Sequence, residues 1–122
     1  MPIGFVLDEN CRGPLWSAVR SHNQRGFDTI DVVRVGDLPD LPLQTLDPVI
    51  LAWAEQAGRI LLTYDESSMP GHWIDHLRSG RHSPGLFIVR TNVSLPDIVE
   101  AMVIVAHASD PDEWLDRLEY IP

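Results

Sequence analysis

Short apolar runs alternate along the chain with longer segments whose apolar positions recur at helical spacing. Ile3–Leu7 is nearly continuous in apolar residues, the pattern of a strand buried on both faces in a parallel sheet. Pro14 follows in a first helical turn, Leu15, Trp16, Val19 and His22 give an apolar stripe, and Arg25-Gly26 closes that helix. Thr29–Val35 is rich in β-branched residues and predicts a second strand. The segment Gly36–Pro42, with Pro39 and Pro42, predicts an exposed loop. Asp47-Pro48 opens a second helix carrying Ile50, Leu51, Ala54 and Ala57 on one side, and Gly58 stops it immediately before a third strand, Arg59–Thr63. Glu66–Gly71 reads as a turn-rich connection and His72–Ser79 as a short helix ending at Gly80. Leu86–Arg90 is a fourth apolar run, Pro96–Ser109 a well-buried helix with Ser94 as its N-cap, and Leu118–Ile121 an edge strand. Strands alternating with helices predict one α/β domain over residues 1–122, a three-layer α/β/α sandwich around a mainly parallel sheet.

Two of these strands end abruptly in acids. Phe5-Val6-Leu7 runs into Asp8-Glu9-Asn10, and Ile60-Leu61-Leu62-Thr63 runs through Tyr64 into Asp65-Glu66. The carboxyl ends of parallel strands are where open α/β sheets bind ligands. If the two strands are neighbours, Asp8 and Asp65 come within reach of one hard divalent cation such as Mg²⁺ or Mn²⁺, which takes oxygen ligands. Asp47, opening the second helix, is the third acid of the set. Crowded carboxylates repel one another, so convergence is costly without a cation and signals function where it occurs. Asp8 is expected at a solvent-facing edge, and Asn10, two positions on, can hydrogen-bond a ligating carboxylate or cap the following helix. Asp47 and Asp65 also have ordinary uses as helix cap and turn residue. His72 and His76 stand one helical turn apart, but with no third ligand they read as part of a partly exposed surface helix.

Composition narrows the chemistry. The formal net charge is −9, and all nine basic residues are arginine. The absence of lysine removes a P-loop, a Schiff base and the phosphoacceptor receiver domain, which otherwise also places acids after its first and third strands. The acidic balance repels nucleic acid overall, so an RNA substrate needs a local basic groove or a partner. The single cysteine, Cys11, cannot form an internal disulfide and reads as a small buried side chain. No run of apolar residues is long enough for a bilayer and no signal peptide is evident, so a soluble, cytoplasmic protein without membrane contact is expected. Four tryptophans in 122 residues favour association, as a homodimer or with a small partner.

Four segments carry a resemblance over nearly the whole chain: Phe5-Val6-Leu7-Asp8-Glu9-Asn10, the Asp47-x-x-Ile50 helix start, Gly58-Arg59-Ile60-Leu61-Leu62-Thr63-x-Asp65, and Ser83-Pro84-Gly85-Leu86-Phe87-Ile88-Val89-Arg90. In order and spacing they resemble the PIN-like domains found as predicted toxins of bacterial toxin–antitoxin pairs and related to VapC-type toxins. The resemblance implies a PIN sandwich, a metal-dependent ribonuclease activity with Mg²⁺ or Mn²⁺, and a small antitoxin protein as partner. It implies Asp8, Asp47 and Asp65 as catalytic metal ligands, with Asn10 as the polar position two after the first; Glu9, beside Asp8, reads from the sequence as an exposed or supporting group. Such domains often carry a second Asp two positions after the last acid, where this chain has Ser67, so Glu66 or water is implied as the fourth ligand. The candidate phosphate contacts are Arg12, Arg78, Arg81 and Arg90, while the Asp-rich loop Gly36–Pro42 is expected away from the substrate. A competing expectation is a PIN-like binding module that has lost cleavage.

Overall fold

In the computed structural model, which describes residues 3–122, the apolar runs form a five-stranded, wholly parallel sheet. Its strands are β1 (Gly4–Leu7), β2 (Asp31–Arg34), β3 (Arg59–Thr63), β4 (Leu86–Val89) and β5 (Leu118–Ile121), ordered β2-β1-β3-β4-β5. Leu7 stands in register with Arg34 on one side and Leu62 on the other. Helices α1 (Pro14–Gln24) and α4 (Leu95–Ala108) pack together over one face, and α2 (Asp47–Ala57) and α3 (Met69–Arg78) over the other, which completes the α/β/α sandwich.

The two-residue period of the strands divides the apolar runs between two cores. Phe5, Leu7, Ile60, Leu62, Phe87 and Val89 face α1 and α4, whereas Val6, Leu61, Leu86 and Ile88 face α2 and α3. Because both faces are covered, no polar residue is tolerated inside β1 or β4, which is why these strands read as unbroken apolar runs. The direction of strand order reverses between β1 and β3, so a crevice opens at their carboxyl ends, the position at which doubly wound sheets hold ligands.

Each helix carries proline in its first two positions, where the backbone N–H has no intrahelical partner to lose. That rule moves the start of α3 to Met69: Met69-Pro70 is a helical first turn, and the helix expected from His72 gains three residues. At its far end α2 stops where Gly58 takes a left-handed φ of 67°. β2 is shorter than the expected Thr29–Val35, yet Val35 N–H still donates to Leu7 O at 2.9 Å before the chain turns away. Arg90 lies just beyond β4, and Ser109 is the C-cap of α4. No helix among the described residues is long and apolar enough to cross a membrane.

Candidate functional site

Asp8 is the residue at which β1 leaves the sheet. Its N–H continues the ladder to Leu62 O at 2.8 Å, and its side chain then turns inward to 6% exposure, so the expected solvent-facing position is corrected to a buried one. Oδ1 accepts from Glu9 N–H at 2.7 Å, capping a 3-10 turn over Glu9–Cys11. Oδ2 accepts from the hydroxyl of Thr63, the last residue of β3 and fully buried. The same Thr63 oxygen accepts from Asn10 Nδ2 at 3.2 Å and Asp65 N–H at 3.1 Å, which uses its one donor and both lone pairs. Asn10 Oδ1 in turn accepts from Tyr64 N–H. Asn10 therefore supports Asp8 through Thr63, and Thr63 is a site residue that sequence reasoning missed. Its signal was a β-branched hydroxyl ending an apolar strand one residue short of the acidic turn.

Burial pushes the Asp8 carboxyl above its ordinary range, and the negative charges of Asp47 and Asp65 push it the same way, against the opposing hydrogen bonds from Thr63 and Glu9. Asp47, half-buried in the first turn of α2, is also raised by desolvation and by Asp65, with His72 acting in the opposite sense. His72 Nε2 stands 3.8 Å from Asp47 Oδ2, which puts the first turn of α3 beside that of α2. The three acids are thus close enough to perturb one another at the β1/β3 crevice.

Asp65 behaves differently. Its Oδ1 accepts from Ser67 N–H at 3.0 Å, Ser67 Oγ at 3.0 Å and Ser68 N–H at 2.9 Å, while Oδ2 accepts from Ser68 Oγ. These bonds, led by Ser68, hold its carboxyl down at about 2. Ser67 and Ser68, the departure from the resembled pattern, are the residues that fix Asp65 at the entrance to α3.

Glu9 Oε1 accepts from Gln44 N–H at 2.7 Å. That bond ties the chain just before Asp47 to the end of β1. The loop Gly36–Pro42, expected away from the substrate, lies instead on the acidic edge, because β2 is parallel to β1 and delivers the chain to the same end of the sheet. Leu41, fully buried, anchors this loop, and Gly36 N–H donates to Leu41 O at 2.7 Å.

Arg12 also lies on this edge, donating to Val35 O at 2.6 Å and pairing with Asp37, which Arg34 shares. Arg90 follows β4 at the same edge. Arg81 is placed at the opposite edge: it pairs with Glu55 near the end of α2 and precedes β4, so it is not brought together with the acids. Arg78, in the last turn of α3, is likewise carried toward the far edge. Glu66 is exposed and lines a neighbouring cleft with Arg90 and Tyr120.

α3 is the partly exposed helix expected, with Trp73 and His76 buried and Ile74, Asp75 and Arg78 exposed; His76 Nε2 meets Glu55 at 3.0 Å. Cys11 is buried, its thiol directed at Asn10 Oδ1 and Leu62 O, and burial pushes its ionisation far upward. All four tryptophans pack on this chain's own two cores.

Among the described residues no group of three or more His, Cys, Asp or Glu side chains is placed to hold a metal ion together. The donor set is all oxygen, partly buried and mutually repulsive, which fits a hydrated Mg²⁺ or Mn²⁺ bound through one or two carboxylates better than a caged ion. Asp8 and Asp47 would hold it, and Asp65 could join through Oδ2, which accepts only the one bond from Ser68 and keeps a lone pair. Comparison with protein-family models, with curated proteins and with solved structures yields no match to this chain.

Proposed function

We propose that the β1/β3 edge is the active site of a PIN-like, metal-dependent endoribonuclease, the toxin of a cytoplasmic toxin–antitoxin pair. The observation that carries this reading is the buried Asp8 carboxylate, raised by desolvation and by the charges of Asp47 and Asp65 in the crevice of a parallel sheet. A polar group held at such a cost is characteristic of a site that a cation completes. A bound Mg²⁺ or Mn²⁺ would lower the pKa of an attacking water and stabilise charge at the scissile phosphate. Thr63 holds the Asp8 rotamer, Glu9 fixes the approach to Asp47, and the two serines orient Asp65.

Asp8→Asn is expected to abolish metal-dependent RNA cleavage, and undiminished cleavage by that variant sinks the assignment. Calorimetric titration with Mn²⁺ is the companion test, with binding lost in the same variant.

A second reading, a cleavage-deficient PIN-like binding module, is favoured by one observation. Asp65 Oδ1 is saturated by Ser67 and Ser68, which leaves Oδ2, itself bonded to Ser68, as its one oxygen with room for a ligand. Absence of detectable Mn²⁺ binding to the wild-type chain supports this module over the nuclease. In either reading a second copy or a small antitoxin-like protein has an apolar rim to cover beside Asp47, since Leu43, Leu46 and Val49 are exposed there. Light scattering and co-purification test that association.

A further inference from the structure

Helices α1 and α4, on the side of the sheet away from α2 and α3, leave between them a groove of about 450 Å³. Ala18, Val99 and Val103 form its apolar floor, and Arg25 and Glu100 stand exposed on its opposite walls, one at the end of α1 and the other on α4. Neither of these two charges enters an ion pair among the described residues.

Beside this groove the chain displays an aromatic ring. Phe27 is 75% exposed, more than any other large apolar side chain among the described residues, and it is not one of the groove's own wall residues. The turn that carries it is fixed. Gly26 and Asp28, on either side, take left-handed φ values of 81° and 47°. His22 Nε2 donates to Asp28 O at 2.9 Å, Asn23 Nδ2 donates to Ile30 O at 2.9 Å, and Asn23 Oδ1 accepts from Ile30 N–H at 2.8 Å. His22 also lines the groove, so ring and groove share one support. An aromatic ring on a fixed turn loses little freedom on docking, and such rings anchored in pockets dominate interface energetics.

We propose that the α1/α4 groove is the interface of a closed homodimer in which each copy inserts Phe27 into the groove of the other. Charge decides for a second copy over an unrelated protein. Arg25 precedes Phe27 by two residues, so the copy that inserts the ring carries its own Arg25 to the partner's Glu100, and the two-fold axis repeats that pair in the other direction. Both wall charges are then matched around a desolvated apolar centre. The contact goes beyond the proposed chemistry and does not rest on it, and Leu43, Leu46 and Val49, beside α2, stay uncovered.

The test is sedimentation velocity on the full chain over a concentration series. Wild type should form dimers that grow no further. Phe27→Asp should weaken the dimer by about a thousandfold, two anchors at roughly 30-fold each, with an unchanged circular dichroism spectrum, since the ring belongs to neither core. Arg25→Glu and Glu100→Arg should each weaken it by about 1.5- to 5-fold for each wall pair, the scale of an exposed ion pair, and the double reversal should restore it. Leu46→Asp should leave it unchanged. A monomeric wild type, which hands the groove to a different protein, overturns the proposal. So do growth into larger assemblies, a dimer indifferent to Phe27→Asp or lost in Leu46→Asp, and a double reversal no tighter than its single parents.

Discussion

The hydroxyl of Thr63 donates to Asp8 Oδ2 at 2.7 Å, joining the ends of β3 and β1 inside the protein. It is also the common acceptor for Asn10 and the Asp65 backbone. Thr63→Val keeps the shape and removes all of these bonds. We expect a loss of about 1–3 kcal/mol, the cost of leaving buried polar groups unpaired, measured by urea denaturation. The Asp8 carboxyl should rise further, since a bond to its ionised form is lost. A raised acid binds protons more tightly in the folded state, so its contribution to stability declines as pH rises from its unfolded value of 3.8 through its folded one. In Thr63→Val that decline should extend to higher pH.

Asp65 has the opposite sign. With a folded value of about 2 against 3.8, it contributes stability that is complete above 3.8 and is lost as pH falls through about 2. Ser68→Ala should lower stability at neutral pH by about 1 kcal/mol and bring the variant and wild-type curves together in strong acid. Parallel curves across the acid range are the contrary result.

His82 Nδ1 meets Asp116 Oδ2 at 2.8 Å, and Asp116 Oδ1 also accepts from Ser83 N–H, clamping the approach to β4. The hydrogen bond that His82 donates to Asp116 raises the imidazole above 6.5, while desolvation of Asp116 is outweighed by the bonds it accepts from Ser83 and His82, which lower it. The pair therefore stabilises the fold above the unfolded Asp value and below the unfolded His value. Its contribution fades as pH rises through the folded His82 value. Asp116→Asn should return the His82 imidazole toward its ordinary titration, read by NMR, and remove that alkaline loss.

Gly36 adopts φ +103°, and a Cβ there would lie 2.5 Å from Leu43 Cδ2 and 2.6 Å from Arg12 Nη1. Gly36→Ala should cost at least about 1–3 kcal/mol from backbone strain alone, measured by thermal or urea unfolding. Because Leu43 adjoins Gln44, the variant should also loosen the Glu9–Gln44 bond and lower Mn²⁺ affinity by calorimetry. Wild-type stability in the variant contradicts the strain.

The strands that were easiest to read are those whose two faces are both covered, since burial forces an unbroken apolar run: β1, β3 and β4. The second helix was legible to the residue, with Pro48 at its start and Gly58 at its stop. The start of α3 was not, because Met69-Pro70 has the composition of a turn and only proline's tolerance in a first helical turn reveals it. Asp8, Asp47 and Asp65 were recognisable as acids following strands or opening a helix. Of their support only Asn10 was, because Ser67 and Gln44 act through hydrogen bonds that no spacing encodes and Thr63 shows itself only as a hydroxyl ending an apolar strand. Arg81 was assigned to the acidic edge although it precedes a strand. In a parallel sheet, residues before a strand lie at the opposite end from residues after it, a rule available from the sequence. Gly36–Pro42 follows β2 and obeys the same rule.

The register of Leu7 with Leu62 has a kinetic consequence. β1 and β3 pair across 55 residues, with β2 and two helices between them, so closing that contact demands a large loop entropy before any ladder bond compensates it. Until then Asp8, Asp47 and Asp65 are ordinary solvated side chains on separate stretches of chain. The crevice comes into existence only when the least local pairing of the molecule locks, so a chain emerging from synthesis carries no assembled acidic centre until residues beyond Thr63 are available.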